Sequence, residues 1–303
     1  MYRILVTWRY FGIGDKKENI ERLFSTHNCI GEIIPLEEAI PRLGEFDGII
    51  VGTDILNSEI FDKAPRLRAI MKYGVGTDNI DKKAAKEKNI KIFNLPGINC
   101  EAVAELVLGY IFALGRKILI SDRMLKSGKW IPSLGSSIKG KTLGILGTGA
   151  VGLTVTEMVS GLKMKVIGYD IYQNEQFTNL GGQYVDRDEI FCQADYLSIH
   201  IPLNEKTYHS IGEKEFKLMK KSAYLMNTSR GAIVDEKKLY QAVKTNEIAG
   251  AAVDVYETEP VSQSILLELD NMITTPHIAA FSYDTFRRMD RESVTKLSKA
   301  LHQ

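Results

Sequence analysis

Short apolar runs alternate with longer amphipathic stretches along the first third of the chain. Residues 16–26, the first of the intervening stretches, have helical periodicity, and the apolar runs occupy residues 2–8, 32–36, 48–51, 69–73 and 91–95. Short strands that alternate with helices are typical of a parallel sheet covered on both faces. The pattern therefore predicts a small α/β domain that ends near Asn99.

The same alternation resumes near residue 140. Helices are predicted near residues 188–193, 213–219 and 236–245, and strands at residues 143–146, 165–169, 196–201, 223–227, 249–255 and 272–275. An amphipathic stretch at 283–301 predicts a final helix that packs back on the first domain. A helical pattern at 99–127 joins the two halves, and its apolar positions are too numerous for one face. We therefore expect that helix to be buried between domains or subunits.

The stretch from Gly140 to Asp170 carries the clearest chemical signal. A strand runs into Gly147-Thr148-Gly149-Ala150-Val151-Gly152, and a helical pattern and a second strand follow. Gly147 permits a tight turn, Gly149 lets the backbone approach a pyrophosphate, and Gly152 allows close helix–strand packing, while the helix amides face the phosphates. Asp170 lies 18 residues beyond Gly152, about where the ribose-binding acid of such a site is expected. A carboxylate there accepts from a ribose 2′-hydroxyl and repels a 2′-phosphate. The segment predicts a dinucleotide site that prefers NAD to NADP.

Composition and charge limit the classes of partner. The 303 residues are 44% hydrophobic and 25% charged, and this length favours two domains. Lys and Arg number 39 against 38 Asp and Glu, a net charge of +1, so no surface for nucleic acid or membrane is expected. Cys29, Cys100 and Cys192 lack metal-ligand spacing, so no metal is expected. No secretory signal or bilayer-spanning stretch is evident, so the chain is expected to be cytoplasmic.

Four segments at the ends of predicted strands in the second half carry polar groups. They occupy residues 200–202, 227–231, 254–260 and 275–280. With Gly-Val-Gly-Thr-Asp-Asn-Ile-Asp at 74–81, Pro-Gly-Ile-Asn at 96–99 and Val-Ala-Glu at 103–105, they resemble the D-isomer-specific 2-hydroxyacid dehydrogenase family, in a branch that includes 3-phosphoglycerate dehydrogenase. The resemblance implies NAD-dependent interconversion of a D-2-hydroxy acid and its 2-keto acid.

The same resemblance implies an α/β fold with two parallel-sheet domains. A flavodoxin-like substrate domain would comprise residues 1–99 and 284–303, and a Rossmann NAD-binding domain, residues 100–283, would be inserted in it. A homodimer is also implied, and the very apolar helix at 103–115 favours it. The chain ends soon after the last helix, so the C-terminal regulatory domain of some longer relatives is expected to be absent.

Three residues are implied to be catalytic. Arg230 would hold the substrate carboxylate, since a planar guanidinium suits an α-keto carboxylate. His277 would exchange the proton with the substrate oxygen, and Glu259 would pair with His277 and favour its imidazolium form. Glu257 is a rival for that pairing, and only the family's spacing of an acid before a proline prefers Glu259.

The resemblance further assigns binding contacts. Gly76 would bind the substrate carboxylate through its amide, and the substrate set is Thr53, Gly74, Val75, Gly76, Asn99 and Arg230. The cofactor set is Gly147, Gly149, Ala150, Val151, Gly152, Asp170, His200, Pro202, Thr207, Thr228, Ser229, Arg230, Asp254, His277, Ala279 and Ala280.

The substrate is the least determined feature. The expected activity is similar to that of 3-phosphoglycerate dehydrogenase, but phosphoglycerate-specific relatives commonly have an arginine where this chain has Val51-Gly52-Thr53-Asp54. Asp54 would also oppose a dianionic phosphate. Arg9, Lys72 and Tyr73 lie on neighbouring strand-end loops and are equally compatible with anion binding and scaffold roles. One alternative is a glyoxylate- or hydroxypyruvate-type reductase, and another, of a different class, is a non-catalytic NAD-sensing protein similar to corepressors built on this fold.

Overall fold

The computed structural model describes residues 1–303, and they form two compact units. Unit 1 comprises Met1–Asn99 and Phe281–Gln303, and unit 2 comprises Cys100–Ala280. The return to unit 1 comes slightly before the expected residue 284. The reason is that the Phe281 ring packs against Trp8 and Tyr10 of unit 1, with centroids 6.3 and 5.3 Å away.

Unit 1 is built on a five-stranded parallel sheet in the order β2-β1-β3-β4-β5, which is the flavodoxin-like order. The strands are β1 (Tyr2–Val6), β2 (Cys29–Ile33), β3 (Gly48–Val51), β4 (Ala69–Lys72) and β5 (Lys91–Phe93). The helices are α1 (Lys17–Thr26), α2 (Leu36–Ala39), α3 (Ser58–Asp62), α4 (Lys82–Glu87) and the C-terminal helix (Tyr283–His302), with a 3-10 helix at Ile40–Glu45.

Both faces of this sheet are apolar because helices cover both. Successive residues of a strand point to opposite faces, so Ile4 and Val6 join one core with Phe286 and Leu297 of the C-terminal helix, while Leu5 joins the other. This double burial explains why the strands are short continuous apolar runs and not alternating ones.

Unit 2 is built on a seven-stranded parallel sheet in the order β12-β11-β10-β9-β6-β7-β8. The strands are β6 (Thr142–Leu146), β7 (Lys165–Tyr169), β8 (Gln183–Tyr184), β9 (Tyr196–Ile199), β10 (Tyr224–Asn227), β11 (Gly250–Val253) and β12 (Met272–Thr274). The helices are α5 (Cys100–Gly115), α6 (Ile118–Lys126), α7 (Ala150–Val159), α8 (Glu175–Asn179), α9 (Arg187–Gln193), α10 (Glu213–Leu218) and α11 (Glu236–Lys244), and 3-10 helices occupy Ser160–Leu162, Gly231–Ile233 and Ile265–Glu268. The chain reverses direction across the sheet between β6 and β9, which creates a switch point at the carboxyl end of β6. The predicted α/β class with two parallel sheets is confirmed.

Two local predictions were wrong. The single helix expected at 99–127 is two helices, because Lys117 adopts the left-handed conformation (φ +53°) between α5 and α6. The strand expected at 32–36 is Cys29–Ile33, since Pro35 has no N–H for the ladder and precedes α2. Helix α5 is buried, but against the sheet of its own unit. None of the helices combines the length and apolarity needed to cross a bilayer.

Candidate active site

The glycine turn after β6 has the geometry of a phosphate-binding turn. Gly147 has φ +99°, and a Cβ there would lie 2.7 Å from the backbone carbon of His200. A Cβ on Gly152 would lie 2.2 Å from the carbonyl oxygen of Gly147, so the close approach of helix and turn requires glycine at both positions. Nothing lies within 4 Å of a Cβ on Gly149, and Gly149 precedes α7 directly. The turn and the exposed Ala150 therefore leave the first amides of α7 open to an anion.

Asp170 lies at the carboxyl end of β7, next to this turn. Its Oδ2 accepts from the Thr148 amide at 2.7 Å, and its Oδ1 accepts from the Tyr172 amide at 3.1 Å. Oδ2 also accepts from the Thr148 hydroxyl at 3.4 Å, whereas Oδ1 keeps a lone pair for a further donor. The next two side chains, Ile171 and Tyr172, are uncharged and exposed. No cation therefore follows the carboxylate directly.

The loop after β9 forms the opposite wall of the glycine turn. The His200 amide donates to Leu146 at 2.7 Å, and its Nε2 lies 2.8 Å from the Ser198 hydroxyl. Burial lowers the pKa of His200 to about 4, so this imidazole is neutral near pH 7. The Thr207 hydroxyl donates to the Pro202 carbonyl at 2.7 Å, and this bond closes the loop.

The turn after β10 carries Thr228, Ser229 and Arg230. The Asn227 side chain brackets it, because its Oδ1 accepts from the Ser229 hydroxyl at 2.9 Å and its Nδ2 donates to the Arg230 carbonyl at 3.0 Å. Nη1 of Arg230 donates to the Ser229 carbonyl at 2.8 Å. The guanidinium is half-buried and close enough to Glu259 to lower the pKa of that carboxyl group.

His277 lies in a turn after β12 that a buried carboxylate holds in place. Asp254, fully buried at the end of β11, accepts from the Thr275 hydroxyl at 2.6 Å and from the amides of Ile278 and Ala279, both at 2.8 Å. Burial raises the pKa of Asp254, against the opposing effect of these three hydrogen bonds. His277 itself has φ +54°, an unfavourable conformation for a non-glycine residue that this network maintains.

Nδ1 of His277 lies 2.6 Å from Oε2 of Glu259. The other oxygen of Glu259 accepts from the Tyr256 amide at 3.0 Å. Burial acts to raise the pKa of Glu259, but the hydrogen bond and charge of His277, with the Tyr256 amide and Arg230, outweigh it, and the pKa is lowered. An ionised Glu259 fixes the proton of the imidazole on Nδ1, so Nε2 is the nitrogen left to exchange a proton with a substrate.

The rival carboxylate, Glu257, has other partners. Its Oε1 accepts from the Glu236 amide at 3.1 Å and lies 2.9 Å from Nε2 of His209. Of the two acids in this loop, Glu259 is the one beside His277.

The buried hydroxyl of Thr228, directly after β10, fits the presence of a bound dinucleotide. The Thr228 hydroxyl oxygen is buried and has no hydrogen-bond partner within the chain. Buried polar groups are almost always paired, so this hydroxyl, at the carboxyl edge of β10, fits a partner on a bound cofactor. Ala279 is buried and Ala280 half-buried in the turn after β12, and small side chains there keep the same edge open.

Of the predicted substrate residues, Thr53 follows the carboxyl end of β3, and Gly74, Val75 and Gly76 follow that of β4. Asn99 ends the first segment of unit 1. Thr53 and Val75 are exposed, and Gly74 has φ +139°. Gly76 is half-buried in the same irregular turn. Oδ1 of Asn99 is buried without a partner.

Two cations near these residues are already engaged. The Lys72 ammonium donates to the Gly52 carbonyl and, at 2.8 Å, to Oδ1 of Asn79. The Arg9 guanidinium donates to the Tyr10 hydroxyl at 2.9 Å and lies over the Tyr10 ring.

Sequence patterns gave no indication of several supporting residues. The Tyr110 hydroxyl of α5 hydrogen-bonds the Thr275 hydroxyl, which in turn donates to Asp254. Thr148, between two of the motif glycines, hydrogen-bonds both Asp170 and the Tyr184 hydroxyl. These contacts join positions far apart in the chain, and no local spacing marks them.

Comparison with known proteins agrees with this geometry. Residues 108–279, more than half of the chain, match the family described as D-isomer specific 2-hydroxyacid dehydrogenase, NAD binding domain. The glyoxylate reductase of Korarchaeum cryptofilum is 39% identical over 259 residues, which cover 82% of this chain and 78% of that enzyme. The hydroxypyruvate reductase of Thermotoga maritima is 37% identical over 276 residues, which cover 89% and 90%.

Two further similarities differ in coverage. The D-3-phosphoglycerate dehydrogenase of Archaeoglobus fulgidus is 39% identical over 249 residues, which cover 80% of this chain but 47% of that enzyme. The crystal structure of the TT0316 protein from Thermus thermophilus superposes with a TM-score of 0.89 at 30% identity, over 99% of this chain and 97% of that one. The chain therefore belongs to the D-isomer specific 2-hydroxyacid dehydrogenases, NAD(P)-dependent oxidoreductases that act on a CH–OH group.

Proposed function

We propose that this protein is an NAD-dependent reductase of a small, non-phosphorylated 2-keto acid such as glyoxylate or hydroxypyruvate. The observation that carries the proposal is the His277–Glu259 hydrogen bond of 2.6 Å, with Arg230 near enough to act on the same carboxylate. An acid/base imidazole, the carboxylate that orients it and a guanidinium are the groups that reduction of an α-keto acid requires.

Each side chain has a distinct part in the proposed reaction. The Arg230 guanidinium binds the substrate carboxylate and polarises the adjacent carbonyl. Nε2 of His277 donates a proton to the carbonyl oxygen during reduction and removes it from the hydroxyl during oxidation. Glu259 stabilises the imidazolium that donates. When bound, nicotinamide supplies or accepts the hydride.

Asp254 contributes by positioning. Its carboxylate is fully buried and accepts three hydrogen bonds from the turn that carries His277. We therefore assign to it the orientation of His277 and of the small residues Ala279 and Ala280, in addition to the cofactor contact expected by resemblance.

We propose that the remaining predicted residues hold NAD. Gly147, Gly149, Ala150, Val151 and Gly152 bind the pyrophosphate; the loop of His200, Pro202 and Thr207 and the turn of Thr228 and Ser229 line the rest of the cofactor. Asp170 selects against NADP, because residues 171–175 (Ile-Tyr-Gln-Asn-Glu) contain no cation to neutralise a 2′-phosphate.

Three observations favour a substrate without phosphate. Lys72 is bonded to Gly52 and Asn79, and Asp54 accepts from the Thr7 hydroxyl at 2.6 Å, so this edge of unit 1 presents a carboxylate and an engaged ammonium group. A dianionic phosphate would lack a dedicated guanidinium. The glyoxylate reductase of Korarchaeum cryptofilum and the hydroxypyruvate reductase of Thermotoga maritima are covered over most of their length, whereas the D-3-phosphoglycerate dehydrogenase of Archaeoglobus fulgidus is covered over 47%. The phosphoglycerate interpretation is therefore the less well supported one. The His277–Glu259 pair with Arg230 close by counts against a non-catalytic corepressor role.

We also propose that Thr53, Gly74, Val75, Gly76 and Asn99 contact the substrate. Thr53 follows β3, residues 74–76 follow β4, and Asn99 lies in the loop after β5. Ligands bind beyond the carboxyl ends of strands in such sheets. The unpaired Oδ1 of Asn99 is suited to accept from a substrate hydroxyl or a bound water.

A homodimer is proposed from an exposed apolar surface of unit 2. Trp130, Ile131 and Leu134, in the extended segment after α6, are 87%, 59% and 90% exposed, and Ile118 and Leu125 of α6 are 50% and 58% exposed. Large apolar side chains this exposed, on neighbouring stretches of the sequence, are typical of an interface. A second copy of the chain is its proposed partner.

The test is steady-state oxidation of NADH with a panel of glyoxylate, hydroxypyruvate, pyruvate and 3-phosphohydroxypyruvate. We expect the largest kcat/KM with glyoxylate or hydroxypyruvate. If the phosphorylated acid were the preferred substrate, the substrate proposal would be wrong. Absence of turnover with every acid, although NADH binds, would refute the proposed activity.

A further inference from the structure

The loop that carries Glu259 is attached to the start of α11 by a reciprocal pair of hydrogen bonds. The Glu257 amide donates to Oε1 of Glu236 at 2.6 Å, and the Glu236 amide donates to Oε1 of Glu257 at 3.1 Å. Each glutamate therefore caps the other's backbone. The Glu236 amide is one of the first amides of a helix, which lack partners within the helix, so the bond to Glu257 serves both elements.

The same loop contacts the turn of Arg230 at one peptide bond. A Cβ on Gly231 would lie 1.9 Å from the carbonyl carbon of Tyr256 and 2.4 Å from the amide nitrogen of Glu257. Only glycine fits such an approach. The peptide between Tyr256 and Glu257 is thus held on one side by Gly231 and bonded through its N–H to Glu236, and Tyr256 donates its own amide to Glu259.

Charged groups surround this attachment on several elements. Nε2 of His209 lies 2.9 Å from Oε1 of Glu257, and its Nδ1 lies 3.9 Å from the Asp235 carboxylate that caps α11. The Glu259–His277 pair is faced by Arg230 from the turn after β10, by Asp254 from the end of β11 and by Glu236 from α11. Burial, and then the charges of Glu257 and Glu259, raise the pKa of Glu236.

We propose that Glu236 and Glu257 are positioning residues for the reaction: their reciprocal bonds hold the Glu259 loop against the Arg230 turn, so that imidazole and guanidinium keep a fixed spacing. The proposal rests on the proposed roles of Arg230, Glu259 and His277. A displacement of about 1 Å at reacting groups can cost roughly 100-fold in rate, so a loop with one attachment removed is expected to lower kcat.

The experiment compares variants that break the attachment with variants that keep it. Glu236→Ala and Glu257→Ala remove the acceptor oxygens, whereas Glu236→Gln and Glu257→Gln retain a carbonyl oxygen in the same place. We expect kcat for keto-acid reduction to fall roughly 10- to 100-fold in the alanine variants, to recover in the glutamine variants, and NADH affinity to stay unchanged. Glu268→Ala is the matched control: this exposed glutamate ends the 3-10 helix Ile265–Glu268 and accepts from the Tyr240 hydroxyl of α11 at 3.5 Å. Loss of that contact with α11, which does not involve the Glu259 loop, should leave the enzyme as the native one.

The pH dependence of the reduction rate separates a positioning role of Glu236 from a role in the stability of the fold alone. Glu236→Gln removes a negative charge that faces the Glu259–His277 pair, so the limb at which the reduction rate falls with rising pH should move to lower pH, with kcat on the plateau near native. A merely structural role would lower the melting temperature and leave this limb in place.

Parallel measurement of His277→Gln separates failure of the positioning role of Glu236 and Glu257 from failure of the catalytic role on which it rests. If His277→Gln loses turnover but both alanine variants keep native kcat and an unshifted pH limb, the positioning proposal is overturned. If His277→Gln keeps native turnover, the proposed catalytic role of His277 fails, whatever the glutamate variants do.

Discussion

Nδ1 of His277 and Oε2 of Glu259 lie 2.6 Å apart, although the two residues follow different strands. β11 and β12 are parallel neighbours in the sheet, so their carboxyl ends meet at one edge and the loops beyond them converge. Asp254, at the end of β11, then fixes the turn that follows β12. Sheet topology brings the two groups near each other, and a buried carboxylate holds the turn that carries His277.

Replacing His277 should abolish proton exchange without affecting cofactor binding. We expect His277→Gln to lower kcat by roughly 100- to 10,000-fold, the usual contribution of a general acid, because glutamine has no titratable proton. NADH binding, measured by fluorescence titration, should be unchanged. Near-native turnover would remove His277 from the mechanism.

The effect of Glu259 should appear as a change in pH dependence. The pKa of Glu259 is lowered in the folded protein. The carboxylate is therefore ionised, and paired with His277, throughout the neutral pH range. Glu259→Gln removes that charge and destabilises the imidazolium. The rate of keto-acid reduction should then decline at a lower pH than in the native enzyme, and an unshifted profile would contradict the pairing role.

Asp170 should determine the choice of cofactor. In Asp170→Ala the repulsion of a 2′-phosphate is lost, together with the acceptor for a ribose hydroxyl, so the ratio of kcat/KM for NADH to that for NADPH should fall by about 10-fold or more. Glu175→Ala, at an exposed glutamate of α8, serves as the control. Equal use of the two cofactors by the native enzyme would show that Asp170 does not select.

Asp290 of the C-terminal helix should make the stability of unit 1 depend on pH. It is 2% exposed, accepts from the Tyr73 hydroxyl at 2.7 Å and from the Gly12 amide at 3.2 Å, and burial raises its pKa from 3.8 to about 6. The folded state therefore binds this proton more tightly than the unfolded chain does. Its favourable contribution is complete below about pH 4 and is lost as the pH rises through about 6.

Asp290→Asn tests this dependence, because the amide cannot ionise in this range. The free energy of unfolding of the native protein minus that of the variant should fall by on the order of 3 kcal/mol between about pH 4 and pH 7. Urea unfolding across this range measures it, with Asp284→Asn, an exposed position on the same helix, as control. A pH-independent difference would show that Asp290 titrates normally.

The apolar surface of unit 2 should control oligomeric state. Light scattering should give a dimer for the native chain, and Trp130→Ser combined with Leu134→Ser should shift it towards monomer, since both side chains are almost fully exposed within one chain. Ile30→Ser, at a residue of β2 that is 52% exposed, should leave the dimer intact. A native monomer would contradict the proposed interface.

Strands and the dinucleotide turn could be predicted because their determinants are local. Gly152 is required by contacts with residues 145 and 147, only a few positions away, and buried strands such as β3 are continuous apolar runs. The break at Lys117 was not predictable in the same way, because a left-handed lysine has no sequence signature comparable to glycine or proline.

The supporting contacts of the site depend on sheet order and were beyond sequence analysis. Without the family's acid-before-proline spacing, Glu257 and Glu259 were competitors for His277; the fold distinguishes them, because the start of α11 lies next to Glu257. The bond from Tyr110 to Thr275 likewise joins a helix before the glycine turn to the last strand end.

The central claim is tested most directly by a crystal structure of the enzyme with NAD and an unreactive 2-keto acid analogue. We predict that the carboxylate of the analogue bonds the Arg230 guanidinium and that its carbonyl oxygen lies within hydrogen-bond distance of Nε2 of His277. An analogue bound with its carboxylate away from Arg230, or with no oxygen near Nε2, would contradict the account.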